Sequence, residues 1–211
     1  MTDSTNFEWD PLTPAQAAAL LRAAPFPWWI AGGHAIEFAV GRGPLRAHDD
    51  LDVLVLRRDQ LAVRDFFADW DCEVSDPPGT LRPWPPGETL RHGVHDVWCR
   101  RAPGEKWQLR LMVDEADDDR WRTRRDARIT RPLAEIGRSR DDGVPFLAPE
   151  IQLYYKANRP RPKDQFDFDA VLPVLDAGQR AWLARAIATS LGRRHRWLEK
   201  LQPAPEKDAG S

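Results

Sequence analysis

The sequence is poor in cysteine, in long apolar runs and in excess charge of either sign. Only Cys72 and Cys99 are present among 211 residues, which excludes a disulfide framework and a zinc site built from cysteines. No apolar run approaches the roughly 20 residues that span a bilayer. The formal net charge of −2 gives no overall attraction to nucleic acid or to an anionic membrane. These features favour a reduced, cytoplasmic setting.

The composition is otherwise that of a globular protein, with 42% hydrophobic and 30% charged residues. Strand-like and helix-like segments alternate in the first two thirds of the chain, and the pattern is helical from Pro149 onward. We therefore predict an α+β (mixed α/β) domain over residues 1–147 and a helical domain over residues 148–202. Residues 203–211 are polar and are predicted to form a disordered tail.

A glycine pair separates a predicted strand from a predicted helix. The apolar segment 28–31 ends at Gly32 and Gly33, and residues 34–40 have the pattern of a short helix. Glycine lets the backbone approach a ligand closely, and successive N–H groups in such a turn can bind phosphate. A helix that begins at this point directs the positive end of its dipole at the same anion.

Two acids stand where the chain enters the next predicted strand. Residues 51–56 are apolar except for Asp52, and Asp50 precedes it by two positions. Side chains two residues apart on a strand point to the same face, about 6–7 Å apart. Two carboxylates so placed can hold one or two Mg²⁺ ions, which bridge to phosphate oxygens. Together with the glycine pair, they predict a nucleoside triphosphate site.

The segments around these motifs, WIAGGHAIE from Trp29 and RAHDDLDV from Arg46, resemble the nucleotidyltransferase superfamily that includes DNA polymerase beta. Within it they are most similar to the aminoglycoside (2''-type) and lincosamide nucleotidyltransferases. The resemblance implies a nucleotidyltransferase fold, in which a small mixed sheet is flanked by helices and accompanied by a helical unit. It further implies ATP as the donor and one or two Mg²⁺ ions as cofactor.

The resemblance also assigns roles to residues. It implies that Gly32 and Gly33 bind the triphosphate, that Asp50 and Asp52 hold Mg²⁺, and that a third acid comes from a neighbouring strand. By position that third acid is Asp114, as a metal ligand or as a general base. The adjacent acid, Glu115, is the alternative. Because neighbouring residues of a strand face opposite ways, only one of the two acids can join Asp50 and Asp52. A purely structural acidic hairpin through Asp119 is the other interpretation.

Several charged residues near the motifs have open roles. Arg46 is predicted to neutralise phosphate, and His48 to orient a carboxylate or line the pocket, but both could simply fix their loop by hydrogen bonds. His34 and Glu37 depart from the family pattern, where Trp and Asp are frequent. Neither departure changes a predicted metal ligand, but both leave the identity of the acceptor open.

One lysine interrupts an otherwise apolar helix in the C-terminal part of the chain. Lys156 is followed by Arg161-Pro162-Lys163-Asp164-Gln165-Phe166-Asp167, which resembles a Lys…Arg-x-Lys-Asp-x-x-Asp pattern of the same superfamily. The resemblance implies that Lys156 binds the triphosphate and lowers the charge on the leaving pyrophosphate. A salt bridge from Lys156 to Asp164 or Asp167 inside the helical domain is an alternative that does not exclude the first.

The predicted function is transfer of a nucleoside monophosphate, AMP from ATP, to a hydroxyl group of a small acceptor such as an aminoglycoside-like compound. Pyrophosphate is the second product. Alternative acceptors are a tRNA or a partner protein of the toxin–antitoxin type, which the basic run 120–125 would suit. That run could equally be a solvated hairpin edge. A nucleotide-binding module of the same fold without catalysis is the remaining alternative.

Overall fold

The structure, a computed structural model, describes residues 7–201. The chain divides into two compact units between Ala148 and Pro149. The predicted tail 203–211 lies outside the described residues. Within residues 7–201, no helix is long and apolar enough to cross a membrane.

The N-terminal unit contains three helices and ten strands within the described residues. The helices are α1 (Pro14–Leu21), α2 (Gly32–Val40) and α3 (Gln60–Phe66). The strands are β1 (Trp29–Ile30), β2 (Asp52–Leu56), β3 (Asp71–Ser75), β4 (Leu81–Pro83), β5 (Asp96–Arg100), β6 (Leu109–Asp117), β7 (Arg120–Arg122), β8 (Thr130–Pro132), β9 (Gly137–Ser139) and β10 (Pro145–Leu147).

One mixed sheet organises this unit, with strand order β4-β3-β5-β6-β2-β1-β10-β9. The hairpin strand β7 extends from β6 and pairs with β8. The central pair β2 and β6 is parallel, with Asp52 opposite Arg110 and Leu56 opposite Asp114. All five residues of β2 are buried, as expected for an apolar run at the centre of a sheet that is covered on both faces.

Local sequence signals account for the elements that lead to β2. Thr13 caps α1 through a capping box with Gln16, and a proline occupies the first helical position. Gly41 ends α2 in the left-handed conformation, with φ of 69°, as a glycine after a helix commonly does. β1 is antiparallel to β2 and parallel to β10, so the glycine pair that follows β1 lies near Asp52 at the start of β2.

The C-terminal unit is helical, as the sequence predicts. Its helices are α4 (Pro149–Ala157), α5 (Pro162–Val171), α6 (Ala177–Ser190) and α7 (Trp197–Leu201). Phe168 of α5 stacks on Trp197 of α7 with ring centroids 4.2 Å apart, and Glu150 of α4 accepts a buried 2.7 Å hydrogen bond from Gln179 of α6. The aromatic stack thus joins α5 to α7, and the hydrogen-bonded polar pair joins α4 to α6.

The predicted mixed α/β class is confirmed. The sheet is larger than expected. Four of its strands are only three residues long, which is too short to show an alternating apolar pattern in the sequence: β4, β7, β9 and β10. A 3-10 turn at Arg57–Asp59 precedes α3.

Candidate active site

The glycine pair and Asp52 lie against each other. The N–H of Ala31 donates a 2.8 Å hydrogen bond to the Asp52 carbonyl, which fixes the strand end beside the turn. Gly32 has φ of 66°, and a Cβ atom added there would overlap the Asp52 Oδ2 atom. Only glycine therefore fits both the backbone angle and the space, and one carboxylate oxygen faces the backbone of the turn.

The second glycine is equally closely covered. A Cβ atom on Gly33 would overlap the His48 ring and the Arg46 guanidinium. The structure thus brings five of the predicted site residues to one place: Gly32, Gly33, Arg46, His48 and Asp52. Asp50 lies just before β2, and its side chain is more exposed than that of Asp52.

Arg110 of β6 binds both carboxylates of the pair. Its Nε atom donates to Asp52 Oδ1 at 2.5 Å, and its Nη2 atom lies 3.2 Å from Asp50 Oδ2. Burial alone would lower the pKa of Arg110, but the charges of Asp52 and Asp50 and the hydrogen bond to Asp52 raise it above the ordinary value. The sequence analysis did not identify Arg110, because only the parallel register of β2 and β6 places it there.

A further acid lies on the same face of the sheet. β5 is antiparallel to β6, with Trp98 opposite Arg110 and Asp96 opposite Met112. Since paired residues share a face and alternate residues repeat it, Asp96 points to the side that carries Asp52 and Arg110. Its charge also raises the pKa of Arg110.

Glu37 of α2 fixes the loop that leads to Asp50. Its Oε1 atom accepts a 2.8 Å hydrogen bond from the Leu45 N–H and lies 2.8 Å from His48 Nε2, while Oε2 lies 3.3 Å from His34 Nδ1. The ring centroids of His34 and His48 are 4.0 Å apart. These contacts support the loop-fixing role of His48, which is one of the roles that the sequence left open.

Two histidines and a carboxylate within 4.8 Å of one another could in principle hold a transition metal. The tautomer of His48 opposes this. Arg46 Nη1 lies 3.2 Å from His48 Nδ1, and because a guanidinium can only donate, Nδ1 accepts. The ring proton is then on Nε2, 2.8 Å from Glu37 Oε1, so the nitrogen nearest Glu37 has no lone pair for a metal.

Burial and charge shift the ionisation of this group. Burial, followed by the charge of His48, lowers the pKa of His34. Burial opposes the charge of Glu37, but hydrogen bonds from His48 and from the Leu45 N–H outweigh it, and the pKa of Glu37 is lowered. The cluster is therefore arranged around a Glu37 carboxylate and a neutral His34 near neutral pH.

The structure does not bring Asp114 together with Asp50 and Asp52. In the parallel register Asp114 is opposite Leu56, four residues along β2 from Asp52. Its carboxylate is fully buried and accepts hydrogen bonds from Trp121 Nε1 at 2.8 Å and Arg124 Nη1 at 2.5 Å. These contacts match the structural interpretation, in which Asp114 of β6 stabilises the hairpin that follows it by pairing with Trp121 and Arg124.

The alternative third acid is also engaged elsewhere. Glu115 Oε1 accepts a 2.5 Å hydrogen bond from Arg57 Nε. Arg57 is buried and donates its remaining N–H groups to the carbonyls of Leu90 and Val94, at 3.1 and 2.6 Å. Glu115 therefore neutralises an arginine that holds the loop before β5.

The basic run 120–125 is largely paired within its own hairpin. Arg122 lies 3.0 Å from Asp117, Arg120 donates to Thr130 Oγ1 at 2.9 Å, and Trp121 is buried. With Arg124 on Asp114, these contacts match a hairpin edge better than a cationic surface for nucleic acid.

Lys156 belongs to the C-terminal unit and is paired there. Its ammonium lies 2.9 Å from Asp167 Oδ2 and 3.4 Å from Asp164 Oδ1, and all three side chains are nearly buried. Burial opposes the Asp164 charge, but hydrogen bonds from Arg161 and the charge of Lys156 lower the pKa of this carboxyl. The salt-bridge alternative therefore describes the contacts of Lys156 in this unit.

A cavity of about 630 Å³ adjoins the Glu37 cluster. His34, Glu37 and Phe38 of α2 contribute to its wall, together with Arg42, Arg140 and Asp141. The lining carries charges of both signs on an apolar base, which suits a polar small molecule.

Comparisons with known proteins identify a matching family and a similar fold. Residues 15–81 match the aminoglycoside-2''-adenylyltransferase family. A crystal structure of ANT(2'')-Ia in complex with adenylyl-2''-tobramycin is similar at a TM-score of 0.50 and 17% identity, over 81% of this chain and 92% of that chain. A solution structure of the antibiotic-resistance factor ANT(2'')-Ia gives the same score and identity over 84% and 91%. No curated protein sequence matches the chain.

The matched segment contains the glycine pair and both acids of the site, and the similarity in fold extends over most of the chain. The chain therefore has the nucleotidyltransferase fold, and its residues 15–81 are similar to the aminoglycoside-2''-adenylyltransferase family.

Proposed function

We propose that the protein transfers AMP from ATP to a hydroxyl group of a small polar acceptor of the aminoglycoside class, with release of pyrophosphate. The observation that carries this proposal is the contact between the Gly32 backbone and Asp52 Oδ2. It joins a phosphate-binding turn to a cation-binding carboxylate at one point, as a nucleoside triphosphate with its metal requires.

The residues present fit a Mg²⁺ ion. Mg²⁺ in phosphate-transfer sites uses one or two carboxylates and completes its coordination with phosphate oxygens and water. Asp50 and Asp52 would hold it, and Asp52 Oδ2, which faces Gly32, is the oxygen nearest the phosphate-binding turn. When bound, the ion would neutralise negative charge on the triphosphate and on the leaving pyrophosphate.

The protein's own groups position the reaction. The N–H groups of Gly32 and Gly33, at the start of α2, bind the triphosphate, and Arg46 adds positive charge beside them. The acceptor oxygen bonds to the α-phosphorus as the bond from that phosphorus to the β-bridging oxygen breaks, and pyrophosphate leaves with the electron pair. The hydroxyl proton passes to water as the new bond forms. Catalysis rests on positioning and charge neutralisation.

The remaining predicted residues have other roles in this proposal. His48 orients the loop before Asp50 through Glu37. Asp114 is not included among the metal ligands, because Arg124 and Trp121 already satisfy it in the interior. A contribution of Lys156 to triphosphate binding remains a prediction beside its role in the C-terminal unit, where Asp164 pairs with it.

The choice of acceptor rests on two observations. The basic run 120–125 is occupied within its hairpin, which disfavours a nucleic-acid acceptor, and the cavity beside Glu37 suits a polar small molecule. The similar structure of ANT(2'')-Ia contains adenylyl-2''-tobramycin, an aminoglycoside that carries the transferred group.

The test is transfer from ATP labelled in the α-phosphate to a panel of aminoglycosides, to tRNA and to protein. Label on an aminoglycoside is expected. Asp50→Asn and Asp52→Asn should reduce transfer at least about a hundredfold, whereas Asp117→Asn, at an exposed acid of the β6–β7 hairpin, should not. Retained transfer in both site variants, or label found only on RNA, would contradict the assignment.

One observation favours a second candidate, a nucleotide-binding module without catalysis. Arg110 occupies an oxygen of each site carboxylate, and a guanidinium is itself a partner for phosphate. Thermal protection by ATP that persists in a metal chelator, together with no transfer to any acceptor, would identify this function instead.

A further inference from the structure

Arg110 links Asp50 to Asp52 as a bridging metal ion would. From this geometry we propose that Arg110 is a resident cation of the site, so that the nucleotide complex takes one divalent ion rather than two. The inference rests on the proposed function and specifies how its site is charged.

The first step is the bridging geometry. One guanidinium reaches Asp52 Oδ1 at 2.5 Å through Nε and Asp50 Oδ2 at 3.2 Å through Nη2. A planar guanidinium suits two carboxylates better than an ammonium does, because its donors lie in a fixed fork. Two acids that would otherwise repel each other are thereby held together by a positive charge of the protein itself.

The second step is that this cation is anchored and permanent. Arg110 stands in β6, the strand between β2 and β5, so the backbone on both sides is fixed by the sheet. Its side chain is 26% exposed, and Asp96 adds a third negative charge on the same face. An arginine does not lose its proton in proteins, so the charge is present at every working pH.

The third step concerns the oxygens that Arg110 occupies. Arg110 contacts one oxygen of each carboxylate, Asp52 Oδ1 and Asp50 Oδ2, while Asp52 Oδ2 lies beside the backbone of Gly32. Mg²⁺ in phosphate-transfer sites needs only one or two carboxylates beside phosphate oxygens and water, so the site would still suit a single ion. A second ion would need the oxygens that the guanidinium occupies and would be repelled by its charge.

Arg110 would also limit what the site can do chemically. In two-metal sites the ions stabilise both the attacking and the leaving oxygen. A guanidinium can stabilise charge on the transferring phosphoryl group, but it cannot accept a lone pair from the attacking hydroxyl. Activation of the acceptor then rests on transfer of its proton and not on coordination to a second ion.

The experiment is a count of bound Mn²⁺ by electron paramagnetic resonance, with the full-length chain and saturating α,β-methylene-ATP, which binds without being cleaved at the α-phosphorus. One Mn²⁺ per chain is expected for the wild type. Arg110→Asp, which places a third carboxylate opposite Asp52, is expected to bind two. Arg82→Gln is the matched control, because Arg82 also pairs with two carboxylates, of Asp76 and Glu88, away from the site.

A second variant keeps the proposal testable if Arg110→Asp does not fold. Arg110→Gln removes the charge but retains a side chain of similar length. Without nucleotide, its Mn²⁺ affinity should exceed that of the wild type by at least about tenfold, because a positive charge next to the ion has been removed. Arg82→Gln should leave the affinity unchanged.

The outcomes separate this inference from the proposed function. Two Mn²⁺ ions per wild-type chain, or an unchanged affinity in Arg110→Gln, would overturn the role of Arg110 and leave the transferase proposal standing. A folded Arg110→Asp variant that still binds one ion would overturn it as well. A wild-type chain that binds the nucleotide analogue with no Mn²⁺ at all would instead overturn the proposed metal-dependent function.

Discussion

The indole Nε1 of Trp121 donates a 2.8 Å hydrogen bond to Asp114 Oδ2 in the interior of the N-terminal unit. The other carboxylate oxygen accepts from Arg124, whose side chain is also nearly buried. An acid that satisfies a buried arginine and a buried indole is a structural partner, even though it stands where family resemblance places a catalytic one.

Asp114→Ala should therefore reduce stability more than it reduces catalysis. The substitution removes the carboxylate that pairs with the nearly buried Arg124, and breaking a comparable buried pair costs about 3–5 kcal/mol. Chemical denaturation should show this loss, and α-phosphate transfer measured well below the melting temperature should fall less than in Asp52→Asn. Asp117→Ala is the control, since its side chain is 71% exposed and its ion pair is worth less than about 1 kcal/mol. Full stability with abolished transfer would restore Asp114 to the site.

Gly32→Ala is expected to abolish nucleotide binding, and Gly41→Ala supplies a matched control. Both glycines have positive φ, of 66° and 69°, so each alanine costs about 1–2 kcal/mol in backbone strain. A Cβ atom at Gly41 has open space around it, whereas one at Gly32 overlaps the Asp52 carboxylate. Thermal unfolding should show the backbone strain in both variants and an additional loss of stability from the overlap in Gly32→Ala. Protection by ATP with Mg²⁺ should be lost only in Gly32→Ala; equal protection in the two variants would argue against the site.

The site is predictable from sequence only where it is local. Gly32 begins α2 directly after β1, Asp52 begins the neighbouring strand β2, and the motif around them identifies both. The third position depends on how β6 is aligned with β2, and the contacting residues are 58 positions apart in sequence. A parallel register offset by four residues places Arg110 rather than Asp114 opposite Asp52, and no spacing within either strand reveals that offset.

The fold shows the same limit. Strands with a clear apolar pattern, such as β2, are evident in the sequence, whereas β10 and β9 are three residues long and consist partly of proline, glycine and arginine. Their place beside β1 is determined by pairing rather than by local preference.

The burial of His34 beside His48 predicts a loss of stability in mild acid. Burial and the neighbouring His48 lower the pKa of His34 in the folded state, and the charges of Glu37 and Asp52 only partly oppose this. The unfolded chain then binds the proton more readily, so stability falls as the pH drops through about 6.5, the ordinary histidine value. His34→Gln should flatten the dependence of the melting temperature between about pH 7.5 and 5.5.

The control for this measurement is His92→Gln, which removes an imidazole whose side chain is 87% exposed. It should show the wild-type slope. A wild-type slope in His34→Gln would mean that other groups set the acid sensitivity. Glu37 acts at lower pH: its pKa is lowered in the folded state, so its contribution is present above its unfolded pKa and is lost as the pH falls through the folded value.

Lys156→Met separates the two roles predicted for that lysine. The ammonium lies 2.9 Å from Asp167 and 3.4 Å from Asp164, so its removal leaves two buried carboxylates with one cation fewer. Breaking such a buried pair costs about 3–5 kcal/mol, and denaturation should show this loss. Lys200→Met, which breaks the exposed pair with Asp169, should change stability by less than about 1 kcal/mol. Lys156→Arg keeps the positive charge and should recover most of the stability.

The KM for ATP decides whether Lys156 also binds the triphosphate. If its role is confined to the C-terminal unit, Lys156→Met measured below its melting temperature should have the wild-type KM, because the lost charge does not act on the nucleotide. If the family resemblance holds at this residue, KM should rise at least about tenfold, as expected when one charged contact of about 1.5–3 kcal/mol is removed. A normal KM with a reduced free energy of unfolding would assign Lys156 to the ion-pair cluster alone.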